Sequence, residues 1–300
     1  MDGWLDRRAA RRWFERAAPT PGADTLAREV ERRMAERLAY VRHDPERILN
    51  AGCGAAECAV LRKRYPAAEV LAFDSALGRL ERARDARSLA ERALTLLRGS
   101  REHIVCADIS ALPLRPGACG MIWSNLALAW SADLAATIRE WHRVLSVGGL
   151  LMFSTYGPDT LKELRAAYVD TLPHVHPFLD MHDIGDALVA AGFADPVMDM
   201  EPITLTYASL DGLIADLRAT GQRNAHSERR RALTGARRWA RARAAYAALA
   251  REGRVPATFE IVYGHAWKAA PRRTAEGLPI VRVERGAGRD ATGPGGTPTR

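Results

Sequence analysis

The run Ile48-Leu49-Asn50-Ala51-Gly52-Cys53-Gly54-Ala55-Ala56 constrains this chain more than any other stretch. A short apolar segment ends at Asn50, two glycines one residue apart follow, and the text then turns helical through Ala59, Val60 and Leu61. That order spells a strand, a tight turn and the start of a helix. Gly52 and Gly54 can adopt positive φ and let a ligand lie against bare backbone, while the first N–H groups of the helix face the turn. Residues 69–73 read as the next strand, and Asp74 ends it about 20 residues after Gly54, the offset at which a βαβ nucleotide site grips ribose hydroxyls. Asp74-Ser75 also suits a helix N-cap, but strand, glycines, helix, strand and acid arriving in this order favour a binding turn.

Upstream, residues 3–17 and 24–41 read as two helices, the second from Leu26, Val30, Met34, Leu38 and Val41 at helical spacing. Pro19, Pro21 and Gly22 part them and leave the first free to move. Its Trp4, Trp13 and Phe14 serve either core packing or a lid over the glycine turn. Downstream, the pattern predicts a helix over 76–97, strands at 104–107, 120–124 and 150–156, and a helix over 133–146 packing Leu134, Ile138, Trp141 and Leu145 inward. Strands alternating with helices make a parallel sheet covered on both faces. Such sheets bind ligands outside their carboxyl strand ends, where Asn50, Asp74, Asp108, Asn125 and Tyr156 all stand. Asp108 reads either as a capped turn or as an acceptor for an exocyclic amine, with Ile109 against an adenine face. Later the alternation breaks: helices over 159–170 and 182–191, a strand over 196–207, helices near 209–220 and 228–251, then a last strand over 258–267.

At 300 residues, with 47% apolar and 27% charged side chains, a sizeable core is available. No apolar run approaches the ~18 residues of a membrane span. The arginine-rich N-terminus is broken by Asp2, Asp6 and Glu15, unlike a transit peptide. Cys53, Cys58, Cys106 and Cys119 lack C-x-x-C pairing and nearby histidines, which argues against zinc and disulfides and for a reducing cytoplasm. The net charge of +8, with arginines crowded over 229–243, favours an acidic partner. No zinc finger, RNA-recognition signature or basic heptad accompanies it, so nucleic acid is not indicated.

Residues 48–54, Asp74, 108–114, 124–126 and Gly148-Gly149 before a strand together resemble a class I S-adenosylmethionine-dependent methyltransferase. A dehydrogenase fits less well, since no Tyr-Lys or His-Asp pair is placed for hydride transfer. Four later runs, 153–164, 181–186, 204–207 and 256–267, resemble one subfamily, the malonyl-acyl-carrier-protein O-methyltransferases of biotin synthesis. The likeness extends from about residue 8 to 285.

The resemblance implies an α/β, Rossmann-like class I methyltransferase: a doubly wound, mostly parallel sheet with an antiparallel last strand. N-terminal helices over 1–41 act as a lid, the methyltransferase domain spans 42–270 with an inserted helical lid at about 208–254, and 271–300 form an extended, largely disordered tail. S-adenosyl-L-methionine is the implied cofactor, held by Asn50, Gly52, Gly54, Asp74, Ser75, Asp108, Ile109 and Asn125. The implied acceptor is the free carboxylate of a malonyl group on acyl carrier protein. Alignment and exclusion of water then carry catalysis, with no general base. A carboxylate needs a cation or donors, and Tyr156, Arg165, His174, His176 and His182 are the candidates, each alternatively a surface or capping residue. The acidity of acyl carrier proteins as a class complements the arginines of 229–243. The chain departs from the family's usual Asp at Asn50, Gly at Ala56 and Tyr at Pro21. Alternative readings are a methyltransferase-like binding or assembly factor, a protein-arginine-modifying relative and, on net charge alone, a nucleic-acid methyltransferase.

Overall fold

A computed structural model describes residues 3–17, 22, 24–52, 57–85 and 102–270. Gly54 with its neighbours Cys53, Ala55 and Ala56, the second half of the helix expected to 97, and the tail expected over 271–300 lie outside the described residues. The chain through Ala269 forms one compact unit.

Seven strands make one sheet in the order β3-β2-β1-β4-β5-β7-β6. β1 (Arg47–Ala51), β2 (Glu69–Asp74), β3 (Glu102–Cys106), β4 (Cys119–Ser124) and β5 (Leu145–Tyr156) run parallel. β7 (Val255–Lys268) lies antiparallel between β5 and β6 (Phe193–Tyr207), which is the antiparallel last strand expected from sequence. Strand order reverses between β1 and β4, so the crevice for a ligand opens at their carboxyl ends.

Side chains alternate across the pleat, and the two faces build separate cores. Ile48, Met121, Trp123, Leu150 and Met152 enter one cluster; Leu49, Ile122, Leu151 and Phe153 enter the other. Helix α2 (Thr25–Leu38) covers the first face with Val30, Met34 and Leu38. α5 (Leu134–Val144) covers the second with Ile138 and Trp141. Each such side chain contributes about 1.5–3 kcal/mol on burial, so the strand ends that carry the site rest on a rigid base. The remaining helices are α1 (Arg7–Arg16), α3 (Glu57–Arg64), α4 (Leu77–Asp85), α6 (Lys162–Ala167), α7 (Met181–Ala190), α8 (Leu210–Ala219) and α9 (Ala236–Ala247).

Three elements differ from the sequence reading. The first helix starts at Arg7 because the Asp6 side chain accepts from Ala9 N–H at 3.0 Å and caps it. The helix expected over 159–170 is only α6, bounded by Leu161 at φ +54° and by extended Tyr168. The helix expected over 228–251 is only α9, and just ahead of that stretch the chain pairs with its own start. Leu5 bridges His226, Asp6 N–H donates to Ala225 O at 2.8 Å, and Ser227 N–H donates to Trp4 O at 2.7 Å. The first helix, expected to move freely, is thereby tied to the segment between α8 and α9.

Candidate active site

At the carboxyl ends of β1, β2 and β3 lies a cavity of about 360 Å³, within the range of small-molecule sites. Gly52, Asp74, Ser75, Asp108 and Ile109 line its sheet side, where the sequence placed them. α1 lines the same cavity with Arg7, Arg11 and Phe14, which sets the aromatic-bearing helix beside Gly52. Gly52 takes φ +88°, and a Cβ there would come 2.1 Å from the Cβ of Ala127; only glycine fits. Leu126, the next residue back, holds a left-handed φ of +57°, fixed by its N–H bonds to the Ser154 carbonyl and hydroxyl.

Asp74 is buried and does two things at once. One carboxylate oxygen accepts from Ala76 N–H at 2.7 Å, the capping role; the other lies 3.3 Å from the Arg79 guanidinium. Burial raises its carboxyl above the ordinary range, against the opposing pull of Arg79 and the Ala76 amide. Arg79 also sits 5.0 Å over the Phe14 ring, so the same cation touches the strand end and the covering helix. Arg82 donates to Phe14 O at 2.9 Å and closes the carboxyl end of α1. Asp108 is likewise divided: one oxygen accepts from the Ser110 amide and hydroxyl, the other faces Arg7 at 3.4 Å.

Two of the expected cofactor residues are not among the described residues that line this cavity. Asn50 is fully buried within β1, in register with Ala72 and Trp123, and does not line the cavity. Asn125 donates to Ala27 O at 2.9 Å and accepts from the Ser154 hydroxyl at 2.9 Å, tying α2 to the sheet. Standing at a strand end does not fix which way a side chain points.

A second cavity, of about 290 Å³, abuts the first, and Trp130 lines both. Its ring meets Phe14 edge-on at 4.7 Å on one side and His176 at 4.7 Å on the other. Tyr156 lines this second cavity as expected, and its hydroxyl donates to Gln222 at 2.7 Å. Burial raises the Tyr156 pKa, which keeps the phenol neutral. His176 also lines it, but not as a cation. Burial, then the neighbouring His226, lowers its pKa to about 3, and its Nε2 accepts from Ala225 N–H at 2.9 Å. The other candidates are absent or engaged. Arg165 lies outside both cavities and donates to the Pro158 carbonyl. His182 is exposed and pairs with Asp180 at the start of α7. His174 lines this cavity as expected, but there it stacks on Tyr168 and pairs with Asp170.

The charge in this cavity comes from arginines, of which the sequence singled out only Arg229 and Arg230, within its cationic run. Among the described residues its lining holds four arginines, Arg218, Arg223, Arg229 and Arg230, and no carboxylate. Arg218 and Arg223 flank Gly221, whose φ of +79° and approach to Phe14 and Trp13 press this turn against α1. A glycine between two cations just past a helix was the available signal.

A sheet of this order, with a glycine turn after β1 and a buried carboxylate ending β2, defines a class I S-adenosylmethionine-dependent methyltransferase. The family described as a methyltransferase domain matches residues 49–153. The crystal structure of the YcgJ protein from Bacillus subtilis shares the fold, with a TM-score of 0.54 at 13% identity over 81% of this chain and 100% of that one. In sequence, a malonyl-[acyl-carrier protein] O-methyltransferase of Gallionella capsiferriformans is 49% identical over 93% of this chain and 97% of its own. Another, from Laribacter hongkongensis, is 50% identical over 90% and 92%. The chain belongs to the malonyl-[acyl-carrier protein] O-methyltransferase family. The first cavity suits the cofactor this family implies: a buried carboxylate at its wall, backbone left bare at Gly52, and apolar surface at Ile109.

Proposed function

We propose that this protein methylates the free carboxylate of a malonyl thioester on acyl carrier protein, the step that primes biotin synthesis in the family it resembles. The observation that carries the reading is the pair of cavities sharing Trp130, one with a buried carboxylate, the other lined by arginines without an acid among the described residues. In the first, Asp74 and Ser75 would hold a ribose, Asp108 and Ile109 an adenine, and Gly52 the methionine end. When bound, the cofactor supplies a methyl group on a positively charged sulfur, reactive enough that a carboxylate needs no further activation. The residues of the second cavity agree with that chemistry. Tyr156 and His176 are both neutral there, and each has its hydroxyl or Nε2 already in a hydrogen bond. They position and exclude water rather than move protons. α1 covers both cavities, presenting Phe14 to one and Trp13 to the other, as a lid would.

The acyl carrier protein is the proposed partner in a cytoplasmic setting. Not all of the arginines of 229–243 are free for it. Arg229 pairs with Asp6, Arg238 with Asp170 and Arg243 with Asp211. Arg237 and Arg241 are exposed one helical turn apart on α9, without an acidic partner among the described residues, and offer the docking charge. The experiment compares malonyl-carrier protein with malonyl-CoA at low and high salt, reading the mass of each product. A methyl ester formed faster on the carrier, with a rate that falls as salt rises, supports the reading. Methylation of neither thioester, with donor binding intact, would favour a binding or assembly role instead.

A further inference from the structure

The proposed reaction leaves open which group recognises the acceptor's charge: His176 is a neutral acceptor, and His174 on the cavity wall is already paired with Asp170. Of the four arginines in the second cavity, Arg229 is neutralised by Asp6 at 2.9 Å, and Arg230 is exposed and donates to the Leu233 carbonyl. Arg218 is exposed and stands on α8 at the mouth. Arg223 differs from all three. Its guanidinium carbon lies 3.9 Å from the centroid of the Trp13 ring, it is half-buried, and no carboxylate pairs with it among the described residues. The charges that act on it are those of Arg218 and Arg16, both of its own sign. A half-buried guanidinium packed on an aromatic face, with only like charges acting on it among the described residues, is suited to receive an anion, because charge is felt more strongly away from bulk water. Its place is fixed from two sides. Gln222, the residue before it, accepts from the buried Tyr156 hydroxyl, and Gly221 packs against Phe14. Trp13 adjoins Phe14, which lines the first cavity, so the cation stands beside the wall between the two.

Resting on the proposed carboxyl methylation, we infer that Arg223, stacked on Trp13 and backed by Arg218, is the receptor for the free carboxylate of a dicarboxylic half-thioester. The contact reads substrate against product. Esterification removes the negative charge, the ester no longer pairs with the guanidinium, and release follows from the loss of that one interaction. Arg223 thus sets specificity and release without taking part in bond making.

The test measures binding of malonyl-carrier protein and of its methyl ester, each with S-adenosylhomocysteine present, in the unmodified protein, Arg223→Gln and Arg223→Lys. The unmodified protein should hold the acid at least about tenfold more tightly than the ester, the order of one charge-assisted hydrogen bond. Arg223→Gln should bring that ratio close to one, and Arg223→Lys should restore part of it. In turnover, Arg223→Gln should raise KM for the malonyl carrier while affinity for S-adenosylhomocysteine and the thermal midpoint stay unchanged. An unchanged acid-to-ester ratio in Arg223→Gln overturns the inference. So does an equal loss of affinity for acid, ester and S-adenosylhomocysteine, which would mark Arg223 as only a strut of the lid. Since the ratio is read from binding, a lack of turnover in the unmodified protein would count against carboxyl methylation alone.

Discussion

Replacing Gly52 by alanine should cost the fold several kcal/mol, and the cost should split into two separable parts. Gly52 holds φ +88°, and a Cβ built on it meets the Cβ of Ala127 at 2.1 Å. Left-handed backbone costs an L-residue about 1–2 kcal/mol. Restoring an ordinary carbon contact of about 3.5–4.0 Å requires the Ala127 segment to retreat by roughly 1.5 Å. Overpacking of that kind costs about 1–3 kcal/mol. The sum, about 2–5 kcal/mol, is a large share of the ~5–15 kcal/mol by which domains are stable. Ala127→Gly removes the facing methyl and relieves the overlap while leaving the φ penalty. Urea unfolding of Gly52→Ala, Ala127→Gly and the double variant should therefore return a coupling of about 1–3 kcal/mol, with the remainder persisting in the double. A loss below about 0.5 kcal/mol for Gly52→Ala, the scale of ordinary surface changes, would refute the reasoning. So would two losses that simply add.

Three further outcomes follow from the same geometry. Burial raises the Asp74 carboxyl, so its unfolded counterpart ionises first and the ionised form weakens the fold as pH rises. Asp74→Asn should accordingly gain stability relative to the unmodified protein as pH rises above about 4, while calorimetry shows donor affinity reduced by about 1.5–3 kcal/mol; tighter donor binding would contradict the assignment. For His176 the sign is opposite: with its pKa lowered to about 3, the unfolded ring takes a proton that the folded ring refuses, and stability is lost as pH falls from about 6.5 towards 3. NMR should find no titration of that ring near neutral pH, and a midpoint near 6 would be inconsistent with a buried neutral acceptor. Asp6→Ala removes both the cap of α1 and the pair with Arg229, at about 1–2 kcal/mol; hydrogen exchange should quicken in α1 with the sheet unaffected, and equal quickening throughout would show that the helix is not a separate cover.

The sheet was legible because its rules are local. Period-two burial marks the strands, and the residues that end them, Asp74 above all, stand where ligands meet such sheets. For Asn50 and Asn125, position along a strand was readable, but side-chain direction depends on neighbours that only the packed structure supplies. The substrate side was less legible still. His176 looked cationic by residue type, whereas burial decides its charge. The strap between residues 4–6 and 225–229 joins segments more than two hundred residues apart through backbone bonds, and backbone bonds leave no pattern in side chains. That strap also drew Arg229 out of the arginine run that looked like a single interaction face.

That two ligands meet at Trp130 is tested most directly by a crystal structure with S-adenosylhomocysteine and a malonyl thioester. The ribose hydroxyls should lie at Asp74, the adenine beside Ile109, and the malonyl carboxylate in the adjoining cavity within hydrogen-bonding distance of the Arg223 guanidinium. A nucleoside bound away from the ends of β1, β2 and β3, or a carboxylate held at Arg165 or His182 instead, would contradict it.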